Sequence, residues 1–481
     1  MHIRQAKTQI KNAVIAYNTK DKTGRYMIPA RNQRPVFLIG APGIGKTAIV
    51  EQIAQELDLA FVSYAMTHHT RQSALGLPYI VEKEYGGRSY SVSEYTMSEI
   101  IASVYEEMEK THKTQGILFL DEINCVSETL APSMLQFLQY KTFGRHTVPD
   151  GWIVVTAGNP AEYNDSVREY DIAMLDRLKK IEVEPDLEVW REFAVETGVH
   201  EAILSYLQIR PQHFYRVSMT VDGKSFVTAR SWDDMSQMIK LYEFNGIRVD
   251  HDLIAQYLQD EQIAKDFANY YDLYKKYESD YQVEDILKGT ASAAITERAQ
   301  NASFDERLSL ISLILSTLEE RTGNIVIREE ALRTVIKEIK EINGDADAFI
   351  DERIGFYVER MLKTDTKDNA DLAYRIRLVY EQLKGKEDIR AELRGMVAKL
   401  KERSDAAQDA LANLFGFFER CFGAKQEMVI LVSELTVRPH ISKYIYAHGC
   451  PKYYEYNKSL LFDEKNRTLN ERIDSLDLPE A

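Results

Sequence analysis

An α/β fold with a parallel five-stranded sheet, a helical lid and an additional α-helical C-terminal domain is what this sequence predicts. Three observations predict it. Short apolar runs alternate with helix-length segments between residues 35 and 186. A glycine-rich turn joins the first of those runs to the helix after it. Charge-rich amphipathic segments dominate from about residue 251 onward. The resulting domain plan is an N-terminal helix and linker (1–34), the α/β core with hairpin inserts (35–186), the lid (187–250) and a helical domain of unknown role (251–481).

Each element has its own signal. Ile3, Ala6, Ile10, Val14 and Tyr17 fall on one face of a helix, and a polar Gly- and Pro-containing linker follows. "VFLI" and "AFVSYAM" predict buried strands, with a helix from Thr47 to Leu57 between them. "LPYIVEKEYGGRSYSVSEY" alternates around Gly86 and Gly87, which is a hairpin pattern. "MSEIIASVYEEMEKTHK" predicts a helix with Ile100, Ile101, Val104 and Met108 inward. "GILFLDE" and "GWIVVTAGN" predict strands around the helix "TLAPSMLQFLQY", and "KKIEVEP" predicts the last strand. Residues 187 to 247 turn helical, with a strand-like interruption at "RVSMTVDGKSF". Ser303 and Glu306 stand at capping-box spacing, and Leu372 to Phe418 supports two long helices broken near Gly385.

Composition bounds the function. A chain of 481 residues with 44% hydrophobic and 28% charged content can build several cores. Its net charge of −15 argues against a nucleic-acid partner. No apolar run approaches the roughly 18 residues of a membrane span, and the first residues lack the apolar core of a signal peptide. Cys125, Cys421 and Cys450 are few, odd in number and scattered, so the expected compartment is a reducing cytoplasm.

The turn "GAPGIGKT" comprises Gly40, Ala41, Pro42, Gly43, Ile44, Gly45, Lys46 and Thr47. It satisfies G-x-x-x-x-G-K-[ST] between a strand and a helix. Glycines let backbone N–H groups curl around phosphate oxygens, and the helix N-terminus adds partial positive charge. Lys46 is placed to reach the β- and γ-phosphates of ATP, and the Thr47 hydroxyl to hold Mg²⁺. Asp121 and Glu122 end the strand "ILFLDE". The first is positioned to act on the metal, through a water, and the second to polarise an attacking water. Asn159 ends another buried strand, where an amide can contact the phosphate or orient that water.

Taken in order, the phosphate loop, "LFLDEIN", "GWIVVTAGNP" and "YDIAMLDRLKKIEVE" resemble the MoxR family of AAA+ ATPases over about residues 30 to 245. "LPYIVEKEYGGRSYSV" and "YKTFGRHTVPDGW" fall where that family carries its two hairpins. The resemblance implies an AAA+ P-loop NTPase core and Mg²⁺-dependent ATP hydrolysis. It implies a ring, a hexamer, and a chaperone-like role on a client, often one bearing a von Willebrand A domain. Arg177 in "LDR" matches the family's arginine finger, with Arg168 a rival nearby, and Arg230 in "TARSW" matches the second sensor arginine. Arg230 is expected to act either within its own chain or between subunits. The chain departs from a compact family member in its long extension past the lid.

Other readings remain in view. A nucleic-acid motor or translocase would be stimulated by DNA or RNA. An ATP-gated assembly scaffold would show little hydrolysis. A small-molecule kinase lacks an evident acceptor site. His68 with His69, and His440 and His448 with Cys450, fit no common metal spacing. The tyrosines near the C-terminus, among 28 in the chain, fit packing or an interface better than base stacking.

Overall fold

The computed structural model describes residues 1–458 apart from 69–71, 73, 75, 128, 164–169, 171, 221–222, 341–345, 365–366 and 387. His69, Arg168 and the acidic stretch from Leu469 therefore lie outside the described residues. The chain divides into two compact units, 1–193 with 210–265, and 194–209 with 266 onward.

The first unit is built on strands β1 (Val36–Gly40), β2 (Ala60–Ala65), β3 (Pro78–Tyr85), β4 (Arg88–Tyr95), β5 (Gly116–Asp121), β6 (Thr142–Phe143), β7 (His146–Thr147), β8 (Trp152–Gly158) and β9 (Lys179–Val183). Five of them form one parallel sheet in the order β2-β5-β8-β1-β9. β3 pairs only with β4, and β6 with β7, as two separate antiparallel hairpins.

Period-two alternation divides the sheet's side chains between two cores. Val36, Leu38, Phe119 and Val155 pack on one face with Ile49 and Ile53 of the helix Lys46–Glu56. Ala6, Ile10 and Val14 of the helix Ile3–Asn18 join that face. Phe37, Leu118, Leu120 and Val154 pack on the other, against Ile100, Ile101 and Val104 of the helix Glu99–Thr111 and Phe137 of the helix Ala131–Tyr140. Burial on both faces explains why these strands read as continuous apolar runs.

The strand-like interruption is a hairpin, β10 (Arg216–Thr220) with β11 (Gly223–Val227). It leads directly into the helix Ala229–Phe244. Thr228 caps that helix in a full capping box with Ser231.

The second unit is helical throughout its described elements. Its spine is the helix Phe304–Ile339, which packs with Lys367–Leu383 and Ile389–Cys421. Gly385, at φ 69°, marks the break between the latter two. Ser303 caps the spine by accepting from the Glu306 N–H at 3.3 Å. The Glu306 carboxylate does not complete a box; it accepts from Tyr281 at 2.7 Å and Arg298 at 3.0 Å.

Near the chain's described end, Tyr444 and Tyr453 are buried, and Tyr444 donates to the Ser404 carbonyl at 2.6 Å. His448 stacks on Tyr444 and faces Glu329 at 3.3 Å, while the His440 ring lies against Gly323. Arg438, 3% exposed, makes a two-pronged ion pair with Glu201 at 2.7 Å on both prongs. Arg438→Ala would strand that carboxylate, so a loss of about 3–5 kcal/mol of stability is expected. Urea unfolding measures it, and an unchanged midpoint would contradict it.

Candidate active site

Sheet order places the site. β1, β8 and β5 lie side by side, so their carboxyl ends present the loop Gly40–Thr47, Asn159 and the pair Asp121–Glu122 in a row. In such sheets ligands bind outside the carboxyl ends of the strands.

The loop has the backbone that its glycines promise. Gly43 and Gly45 take φ of 73° and 89°, in the left-handed region. A Cβ on Gly43 would lie 2.8 Å from the Thr228 hydroxyl, so a side chain there would also push against the lid. The helix begins at Lys46 without any side-chain cap, which leaves its first N–H groups for another acceptor.

Lys46 is 8% exposed, and its ammonium donates to the Gly40 carbonyl at 2.8 Å, the Ala41 carbonyl at 2.9 Å and Asn159 Oδ1 at 2.8 Å. All three of its donors are thus engaged. Burial pulls its pKa down to about 8. The Asp121 charge opposes that fall, the Arg230 charge adds to it, and Glu122 opposes it weakly.

The two carboxylates diverge. Asp121 Oδ2 accepts from the Thr47 hydroxyl at 3.0 Å, and its Oδ1 accepts from the Glu122 N–H at 2.9 Å. Glu122 has φ 54°, an uncommon conformation for a residue with a side chain. That turn sends its carboxylate the other way, where Oε2 accepts from the Thr67 hydroxyl at 2.9 Å. Thr67 follows β2, the strand beside β5.

Asn159 is held by its backbone. Its carbonyl accepts from Asn124 Nδ2 at 2.7 Å. Asn124 is 2% exposed and packs so closely on Gly158 that a Cβ there would collide with Asn124 Oδ1.

The segment expected to form a lid meets the loop at two main-chain carbonyls. The Arg230 N–H donates to the Gly43 carbonyl at 3.2 Å, and the Tyr215 hydroxyl donates to the Pro42 carbonyl at 2.9 Å. Burial drives the Tyr215 phenol well above its usual range, so it stays a donor. Arg230 sits in the first helical turn after Thr228, where an N–H has no partner within the helix.

Arg177 stands apart. It precedes β9, whose first residue, Lys179, pairs with Val36, whereas Val183 pairs with Gly40 at the loop end. A strand rises about 3.3 Å per residue, so Lys179 lies roughly 13 Å along the sheet from the level of Gly40, and Arg177 enters the strand from that far edge.

The structure therefore brings Lys46, Thr47, Asp121 and Asn159 into one hydrogen-bonded set, holds Glu122 beside it and seats the lid on the loop. Arg177 enters β9 from the opposite edge of the sheet. Thr67, Asn124 and Tyr215 were not singled out from sequence. Only Asn124, within "DEIN", adjoined a recognised motif.

The donor set fits a triphosphate with a divalent cation. It offers a loop with uncapped N–H groups, one ammonium, and a hydroxyl and carboxylate together for a hard metal ion.

No curated protein matches the chain. Residues 35–178 match the model of the AAA domain, dynein-related subfamily. The match spans the loop, both acids, Asn159 and Arg177, and stops before Arg230. No described helix is long and apolar enough to cross a membrane. The molecule thus carries an AAA domain of the dynein-related subfamily, with its five-stranded parallel sheet, ahead of a helical C-terminal region.

Proposed function

We propose that the chain is a Mg²⁺-dependent, MoxR-type ATPase of the cytoplasm that assembles into a ring, a hexamer, and remodels a partner protein. The observation that carries this reading is the linkage of Lys46, Asn159, Thr47 and Asp121 at the carboxyl ends of adjacent strands. In it, loop N–H groups and Lys46 would bind the phosphates, and Thr47 and Asp121 would hold Mg²⁺. Bound Mg²⁺ would neutralise charge building on the phosphate oxygens. Glu122 takes a proton from the attacking water. Asn159 Oδ1 accepts from Lys46 in the nucleotide-free protein; on binding, Lys46 releases one of its three acceptors to reach a phosphate oxygen, and the Asn159 amide nitrogen is left to orient water or phosphate.

Arg177 is assigned to the phosphates of a neighbouring subunit, since its backbone starts at the far edge of its own sheet. Arg230 is assigned to sensing nucleotide from the lid. The hairpins β3–β4 and β6–β7 support the finer MoxR reading by their positions in the chain. A client with a von Willebrand A domain is part of the same proposal.

The deciding measurement is ATP turnover per chain with Mg²⁺ across a wide protein concentration range. A steep climb to a plateau is expected, because the site is completed between subunits. Absence of turnover at every concentration would favour an assembly scaffold, and stimulation by DNA or RNA a nucleic-acid motor.

Two further results are expected. Thr67→Val removes the hydrogen bond that aims Glu122. Turnover then falls about tenfold, the value of one bond to a charged group, while nucleotide affinity holds. Equal loss of affinity and turnover would assign Thr67 to binding.

The second concerns pH. Lys46 is charged below its pKa of about 8 and neutral above it in the nucleotide-free protein. Binding phosphate above that pH must therefore take up a proton. Affinity for a fluorescent ATP analogue is expected to weaken from pH 8 to 9.5, by up to about tenfold per pH unit. A flat profile would show that Lys46 stays charged throughout.

A further inference from the structure

The second unit contains a cleft of about 480 Å³ between the helices Phe304–Ile339, Lys367–Leu383 and Ile389–Cys421. Arg328, Arg375, Lys399 and Arg403 line it. Among the described residues, none of these four cations has a carboxylate within ion-pair distance. Arg375 donates only to Asn324 Oδ1, at 3.3 Å. Arg328 is half-buried, and its Nε is buried with no hydrogen-bond partner. The one acid on the lining, Glu392, faces Lys386 at 3.8 Å.

Carboxylates are plentiful in a chain whose net charge is −15, yet none of the described ones neutralises the half-buried Arg328 and Arg375 or the exposed Lys399 and Arg403 at the rim. Burial first, and then the nearby Arg403 and Arg375 charges, hold the Arg328 guanidinium below its usual range. An unneutralised set of cations around one space calls for an anion. A guanidinium fork can bond two oxygens of one phosphate group at once, which no other side chain does as well. Leu378, Val379, Met396 and Leu400 supply an apolar wall beside them, and no aromatic ring lines the cleft for base stacking. The volume is that of a small-molecule pocket.

We propose that this cleft binds a small organic phosphate, its anionic group held by Arg328, Arg375 and Arg403 and its aliphatic part lying on Leu378, Val379 and Met396. The site is separate in sequence from the phosphate loop and does not depend on the ATPase reading.

The test is calorimetric titration of the full chain with hexyl phosphate and with inorganic phosphate. Hexyl phosphate is expected to bind the more tightly. Arg328→Gln with Arg375→Gln should weaken it by about tenfold or more, as loss of charge-assisted bonds predicts. Arg403→Gln, at an exposed position, removes one charge without touching the core and is expected to weaken binding in the same direction. Lys46→Ala should leave it unchanged. Binding should also fall as salt is raised.

The proposal is overturned if hexyl phosphate does not bind, or if the arginine variants bind it as the parent does. It is equally overturned if Lys46→Ala abolishes binding, which would place the anion in the phosphate loop. Capture of an oligoglutamate peptide in place of hexyl phosphate would assign the cleft to a protein segment.

Discussion

Glu122→Gln is expected to lower ATP turnover by about 10²–10⁴-fold, the usual contribution of a positioned base, while leaving nucleotide affinity nearly intact. The amide keeps the size of the carboxylate and can still pair with Thr67, so the left-handed turn at Glu122 has no reason to relax. Only the ability to take a proton is removed. Asp121 continues to face Thr47 and cannot substitute, because the backbone turn directs the two carboxylates to different partners. Single-turnover kinetics with equilibrium binding separate the two effects. Full turnover in the variant would sink the proposed hydrolytic mechanism.

Arg177→Ala is expected to lower turnover by about 10³–10⁵-fold, the range for an arginine that neutralises transition-state charge from outside. The decisive form of the experiment mixes two inactive chains. Arg177→Ala retains Glu122, and Glu122→Gln retains Arg177. In a mixed ring some sites pair an intact Glu122 with a neighbour's intact Arg177, so partial activity should return. No recovery on mixing, with both variants still assembling, would show that Arg177 does not act across subunits. The expectation rests on the pairing of Lys179 with Val36, which starts Arg177 at the sheet edge opposite its own loop.

Much of this architecture was legible in the chain. The five apolar runs became the five parallel strands, and the Gly86–Gly87 turn became the β3–β4 hairpin, because local pattern and turn chemistry decide both. Strand order was not legible. Nothing local says that β8 inserts between β5 and β1, yet that insertion sets Asn159 beside Lys46. Thr67, Asn124 and Tyr215 were missed for the same reason. Their partners lie 55, 35 and 173 residues away, and a hydroxyl or amide carries no period or spacing that reveals a distant acceptor. Glu306 shows the opposite error. Its spacing from Ser303 is that of a capping box, but Tyr281 and Arg298 draw its carboxylate away.

The contact between the Arg230 N–H and the Gly43 carbonyl joins the helix Ala229–Phe244 to the loop proposed to hold the phosphates. A single amide proton therefore reports whether that helix rests on the loop. It is shielded while the lid rests on the loop and open to solvent deuterium once the two part. Its exchange rate counts how often the helix and the loop part, with no label present.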